Sequence, residues 1–144
     1  MPAEPTAIVP DKGIRPGVNE NTADIPAGTF VVLAPGATDL KDSIDPAGNG
    51  ARVYGVAMED IIGTTAATAL GLGAQRGNIQ VEGRALVIAA GATTRGGPIG
   101  SDASGQAVNA ATGDVVAGVG STVGVATELM EVELAGPGGG AITP

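Results

Sequence analysis

The chain has 144 residues, with 7 basic against 15 acidic side chains for a net charge of −8, and it contains no cysteine and no histidine. So acidic a balance repels phosphate backbones and anionic lipid surfaces, arguing against nucleic acid and membrane surfaces as partners. The missing residue types rule out disulfides and thiolate chemistry and remove the commonest general base and metal ligand.

One Phe (Phe30), one Tyr (Tyr54) and no Trp leave a core of Ala, Val, Ile and Leu, in which each buried methylene contributes only about 0.8 kcal/mol. The 25 Gly residues add unfolded-state entropy. Contacts with other subunits or partners are therefore expected to complete the stability.

Taken in order, Met1 to Pro10 has no basic segment followed by an apolar run, so no secretory signal is read there. No stretch reaches the ~20 apolar residues that span a bilayer, and a soluble protein made in the cytoplasm is expected. Pro2, Pro5, Pro10 and Pro16 fix their own φ and push their predecessors to extended geometry. Residues 1–22 are accordingly read as an extended arm lying against a neighbour, residues 23–135 as the β domain, and residues 136–144 as a flexible Gly/Pro-rich tail.

Within the domain, Thr29-Phe-Val-Val-Leu is the first strand, and Asp39 to Gly50 reads as polar and turn-rich. Arg52 to Met58 reads as a strand in which Gly55 marks a bulge or a close backbone approach. Glu59 to Gln75 is the ambiguous segment: Ala favours a short helix, while Thr and the glycines at 63, 71 and 73 oppose it. From Asn78 the pattern steadies. Ile79 and Val81 alternate with Gln80 and Glu82, the sign of a half-buried strand. Ala85 to Ala89 is a continuous apolar run, read as buried on both faces. Gly91 to Gly100 is a turn region, and Ser101-Asp-Ala-Ser-Gly is a tight turn into Gln106-Ala-Val. Val115 to Gly120 is expected to pair with Thr122 to Ala126. The last strand is Glu128 to Leu134, with Leu129 and Val132 to Leu134 facing inward. Short strands at close intervals define an all-β class, a small β-sandwich or β-barrel with at most one short helix. Pro26-Ala-Gly-Thr against Ala89-Ala-Gly-Ala is a weak internal repetition, too slight to establish duplicated lobes.

Each constellation that suggests chemistry has a simpler account. Gly71-Leu-Gly-Ala-Gln-Arg-Gly resembles a nucleotide loop, but its third Gly falls one position late and no helix or ribose-binding acid follows. Ser101 to Gly105 lacks the alternating acids and closing Glu of a calcium loop. Glu128, Glu131 and Glu133, with Glu59 and Asp60, are carboxylates for acid/base work only if paired; on a strand they are a solvated edge or a salt-bridging rim. Ser and Thr have no His to activate them, and Lys12 and Lys41 lie in the arm and a loop. No catalytic, cofactor-binding or metal-ligating residue is assigned, no cofactor is expected, and the chain is read as a non-enzyme.

Several strand–turn units resemble those of the bacteriophage capsid-cement, or head-decoration, proteins: Ala27-Gly-Thr-Phe-Val, Arg52-Val-Tyr-Gly-Val-Ala, Val81-Glu-Gly-Arg-Ala-Leu-Val, Gly97-Pro-Ile-Gly-Ser-Asp-Ala-Ser-Gly-Gln-Ala-Val and Glu128-Leu-Met-Glu-Val-Glu-Leu. The likeness covers residues 24–134, while Glu59 to Gln75 and the Gly-rich tail match no feature of that family. It implies a small β-sandwich or barrel on the exterior of the virion that bridges major capsid proteins and resists internal DNA pressure. It also implies a homo-oligomer, with a trimer favoured over a dimer. An acidic exterior, an arm able to cross a seam, and avidity from many copies on a lattice agree with that role. The alternative is a β-rich tail-fibre or adhesin module binding a host receptor or glycan, which the scarcity of aromatic platforms disfavours.

Overall fold

The computed structural model describes residues 13–36, 41–136 and 140–144. Its elements are β1 (Ile14–Asn19), β2 (Phe30–Leu33), β3 (Ser43–Pro46), β4 (Gly55–Ala57), α1 (Thr64–Ala69), β5 (Gln75–Gln80), β6 (Arg84–Ile88), β7 (Pro98–Ser101), β8 (Ala107–Asn109), β9 (Gly118–Gly120) and β10 (Leu129–Leu134). The first five strands close a barrel in the order β1-β3-β2-β4-β5, and the last five form a sheet in the order β6-β10-β9-β7-β8. The all-β class with one short helix is thus the fold adopted, as a barrel and a sheet together. The ambiguous segment after Glu59 resolves into α1, a single helix of six residues.

Strands β2 and β4 explain how so aromatic-poor a chain builds its interior. Side chains alternate across a strand, and in these two strands both faces are covered. Val31 and Ala57 point into the barrel with Ile25, Ile44, Ile61, Ile79 and Val81. Their neighbours Phe30 and Val56 point the other way and meet Ala85, Val87, Ile99, Met130 and Val132 of the second sheet. The pair is therefore a wall shared by two cores. Close packing of small side chains needs close backbones, and Gly55 shows why: a Cβ there would lie 2.5 Å from the Gln80 carbonyl oxygen and 2.6 Å from Ile79 Cγ2. The close approach expected at Gly55 is what the structure has. The turn after β7 is tied to the same wall. Gly105, at φ +79°, accepts from Phe30 N–H at 2.8 Å, and Ala47 N–H in turn donates to the Phe30 carbonyl at 2.8 Å.

Several local expectations are corrected. The arm does not extend to residue 22: β1 pairs with β5 over its full length, Ile14↔Gln80 through Asn19↔Gln75, and belongs to the barrel. Residues 1–12 lie outside the described residues. Pro16 is tolerated because Val81 N–H donates to Gly13 O, which puts the β5-facing bonds of β1 on Arg15, Gly17 and Asn19. The missing N–H of Pro16 falls on the side where β3 pairs only with Val18 and Asn19.

The polar stretch after Asp39 contains β3, whose one large apolar residue, Ile44, is fully buried. The apolar run at 85–89 is covered on one face only, with Leu86 exposed and Val87 buried, because only the inner face of the second sheet packs against the barrel. Val115 to Gly120 does not pair with 122–126; β9 sits between β7 and β10. In β10 it is Met130 and Val132 that are buried, while Leu129 faces outward. Residues 140–144 are not a free tail. Gly140 N–H donates to Val116 O at 2.7 Å, Val116 N–H to Ala141 O at 3.0 Å and Thr143 N–H to Asp114 O at 2.8 Å. That pairing gives the backbone at 114–116 hydrogen-bond partners; residues 137–139 lie outside the described residues.

Candidate interaction surface

Of the acids singled out for chemistry, Glu59, Asp60 and Asp102 hold the backbone. Glu59 Oε2 accepts from Asn78 N–H at 3.0 Å and Asp60 Oδ1 from Ala27 N–H at 2.8 Å. Asp102 Oδ1 accepts from Ser104 N–H and Gln106 N–H, both at 2.8 Å, organising the β7–β8 turn as an Asx turn. Glu131 and Glu133 flank Arg84 at 3.6 and 3.7 Å, the salt-bridging rim expected of them. Glu128 is exposed at the start of β10. In Gly71 to Gly77 the helix precedes the loop, and Gln75 to Gly77 already belong to β5. Lys41 is exposed, and Lys12 lies outside the described residues. Among the described residues no three His, Cys, Asp or Glu side chains converge on a common point.

What the fold does build is a groove along the seam between barrel and sheet, about 290 Å³ in volume. The barrel supplies Ala27, Gly28, Val56, Ala57, Met58 and Gln80, and the sheet supplies Arg84, Leu86 and Leu129. The ladder between β6 and β10 places Ile88 opposite Leu129, Leu86 opposite Glu131 and Arg84 opposite Glu133. These pairs line the outer face of the sheet, since Ala85, Val87, Met130 and Val132 occupy the inner one. Met58, Leu86 and Leu129 remain 46, 55 and 56% exposed. Fully burying a side chain of that type is worth about 1.5–3 kcal/mol, and roughly half of that is still open at each of these half-buried residues, so the three together favour another molecule settling there. Val119 on the same face, and Val123 and Val125 in the loop before β10, extend the apolar exposure. No helix among the described residues is long and apolar enough to cross a membrane.

Sequence reasoning missed the groove, although it had all its parts. The available signal was Leu86 and Leu129, large apolar residues flanked by Arg84, Glu128 and Glu131, which a strictly buried run would not tolerate.

These features define a class: a β module of a five-stranded barrel sharing one wall with a five-stranded sheet, presenting surfaces for contact. No protein-family model matches the chain, and no curated protein matches it. Among solved structures it is similar to the head fiber gp8.5 N base of bacteriophage phi29, with a TM-score of 0.66 over 85% of this chain and 94% of that one. At 15% sequence identity, the two share a fold.

Proposed function

We propose that this chain is a structural protein of a phage head, bound to the outside of the shell, where it bridges major capsid proteins as a decoration protein. The observation that carries this reading is the likeness of almost the whole chain to a module named as the base of a head fiber. It agrees with the strand–turn units already noted and with a surface on which acids make backbone and salt-bridge contacts. The same proposal includes self-association, as a trimer rather than a dimer, the arrangement the resemblance to decoration proteins implies; an interior of small side chains, which gains from added contacts, supports self-association. No catalytic role is assigned.

The test is to mix purified protein with expanded heads lacking it and measure co-sedimentation. Saturable binding at a fixed number of copies per head, with a symmetric density on the outer surface by electron microscopy, is expected. Absence of binding together with affinity for a host glycan or receptor would overturn the proposal in favour of an adhesin. The phi29 likeness favours a second reading, a base that anchors a projecting fibre. In that case the density would continue outward beyond the β module.

A further inference from the structure

The groove has a short open stretch of strand edge at Leu86. In the β6–β10 ladder, Leu134 N–H donates to Gly83 O and Ala89 N–H to Glu128 O. Antiparallel alternation then turns the backbone groups of Ala85 and Val87 toward β10 and those of Arg84, Leu86 and Ile88 away from it. On that outward side Ile88 N–H is taken by Gly28 O at 2.9 Å, and the Arg84 carbonyl accepts from Gln80 Nε2 at 2.6 Å. Between these two fixed points the N–H and C=O of Leu86 face the groove, and β6 has no strand partner on this side among the described residues. An open position of this kind can pair with the backbone of one residue of an extended segment laid along the groove.

Charge selects the occupant. Glu82 lies between the lining residues Gln80 and Arg84, Glu59 adjoins Met58, Asp60 holds Ala27, Glu128 adjoins Leu129, and Glu131 and Glu133 stand opposite Leu86 and Arg84. Arg84, the one basic lining residue, is already flanked by two of these acids. A second copy, carrying −8, would bring like charge to this rim. We infer that the groove takes an extended segment of a different protein, with alternating apolar side chains and basic residues at its flanks, which pairs its backbone with Leu86 and rests side chains on Met58, Leu86 and Leu129. Identifying that segment as part of a shell protein rests on the reading above; the chemistry of the groove does not.

The experiment has two arms. The full chain, labelled with 15N, is titrated with the capped peptide Lys-Thr-Val-Thr-Val-Lys, with the same peptide carrying Glu at both ends, and with a peptide of residues 1–12. The basic peptide is expected to shift the amide resonances of Leu86, Gly28 and Met58 and to bind about tenfold more tightly than the acidic one at low salt, a difference that shrinks as salt rises. Equal binding of the two, shifts confined to other surfaces, no shift at all, or tighter binding of the 1–12 peptide would each overturn the inference.

In the second arm, Leu86→Glu, an exposed position that leaves both cores intact, is compared with the unaltered chain for binding to heads. Loss of binding in the variant supports the groove as the shell contact. Equal binding by both removes it from that role while leaving the phage-head reading standing. Peptide binding in the first arm without head binding by the unaltered chain does the reverse.

Discussion

Replacing Asn19 by Ala tests whether the end of the barrel is held by one side chain. Asn19 is fully buried at the end of β1. Its Nδ2 donates to Ala23 O at 3.0 Å and to Ile61 O at 2.9 Å, and its Oδ1 accepts from Asn21 N–H at 2.9 Å and from Asn21 Nδ2 at 3.0 Å. Ala removes all four bonds. The loss is smaller than four full hydrogen bonds, because Ile61 O still accepts from Ile25 N–H and Asn21 Nδ2 still reaches Ile44 O at 3.0 Å. Ala23 O and Asn21 N–H are left to find water at the edge of a closed barrel. With about 1–3 kcal/mol for each buried group stranded, and the cheaper end for groups near the surface, the expected cost is about 2–4 kcal/mol. For a chain of this size that corresponds to a fall in Tm of about 6–12 °C. Urea unfolding followed by circular dichroism reads it directly, and the slope should be unchanged if the native fold persists. A loss below about 0.5 kcal/mol would refute the assignment of Asn19 as the clasp, since it lies within the range of ordinary surface substitutions.

Two further outcomes are expected. Gly55→Ala forces a methyl group against the Gln80 carbonyl and Ile79, and should lower stability by about 1–3 kcal/mol through overpacking, measured as a shift in urea midpoint. Asp102→Ala removes both backbone bonds of the β7–β8 turn and should cost about 1–2 kcal/mol, with faster amide exchange at Ser104 and Gln106.

Much of the fold was legible because it was written locally. The alternation at Ile79 and Val81, the polar turn at Ser101 to Gly105, and the glycine inside a strand at 55 each carry their physics within a few residues. What escaped is what distant partners decide. The segment Ile14–Asn19 is a strand in spite of Pro16 because the β3 partner stops short of it. Ser43–Pro46 carries only one large apolar side chain, too little for a period, and becomes a strand through its pairing with β2 and β1. Leu86 looked buried because its neighbours are apolar; its exposure comes from its place on the outer face of the sheet, which the barrel does not cover and which no window around residue 86 contains. The groove is harder still, since it joins residues 27–28, 56–58, 80–86 and 129, segments brought together only by the closure of the barrel against the sheet.

The wall of β2 and β4 has a consequence for unfolding. Phe30 and Val56 are interior only while the second sheet covers them, and Val31 and Ala57 only while the barrel is closed. The barrel encloses one core by itself, but the second sheet has no interior without the barrel, so cutting the chain between Val81 and Gly83 would leave each fragment exposing its share of the common core. The barrel and the sheet are therefore expected to unfold together, in a single transition by circular dichroism.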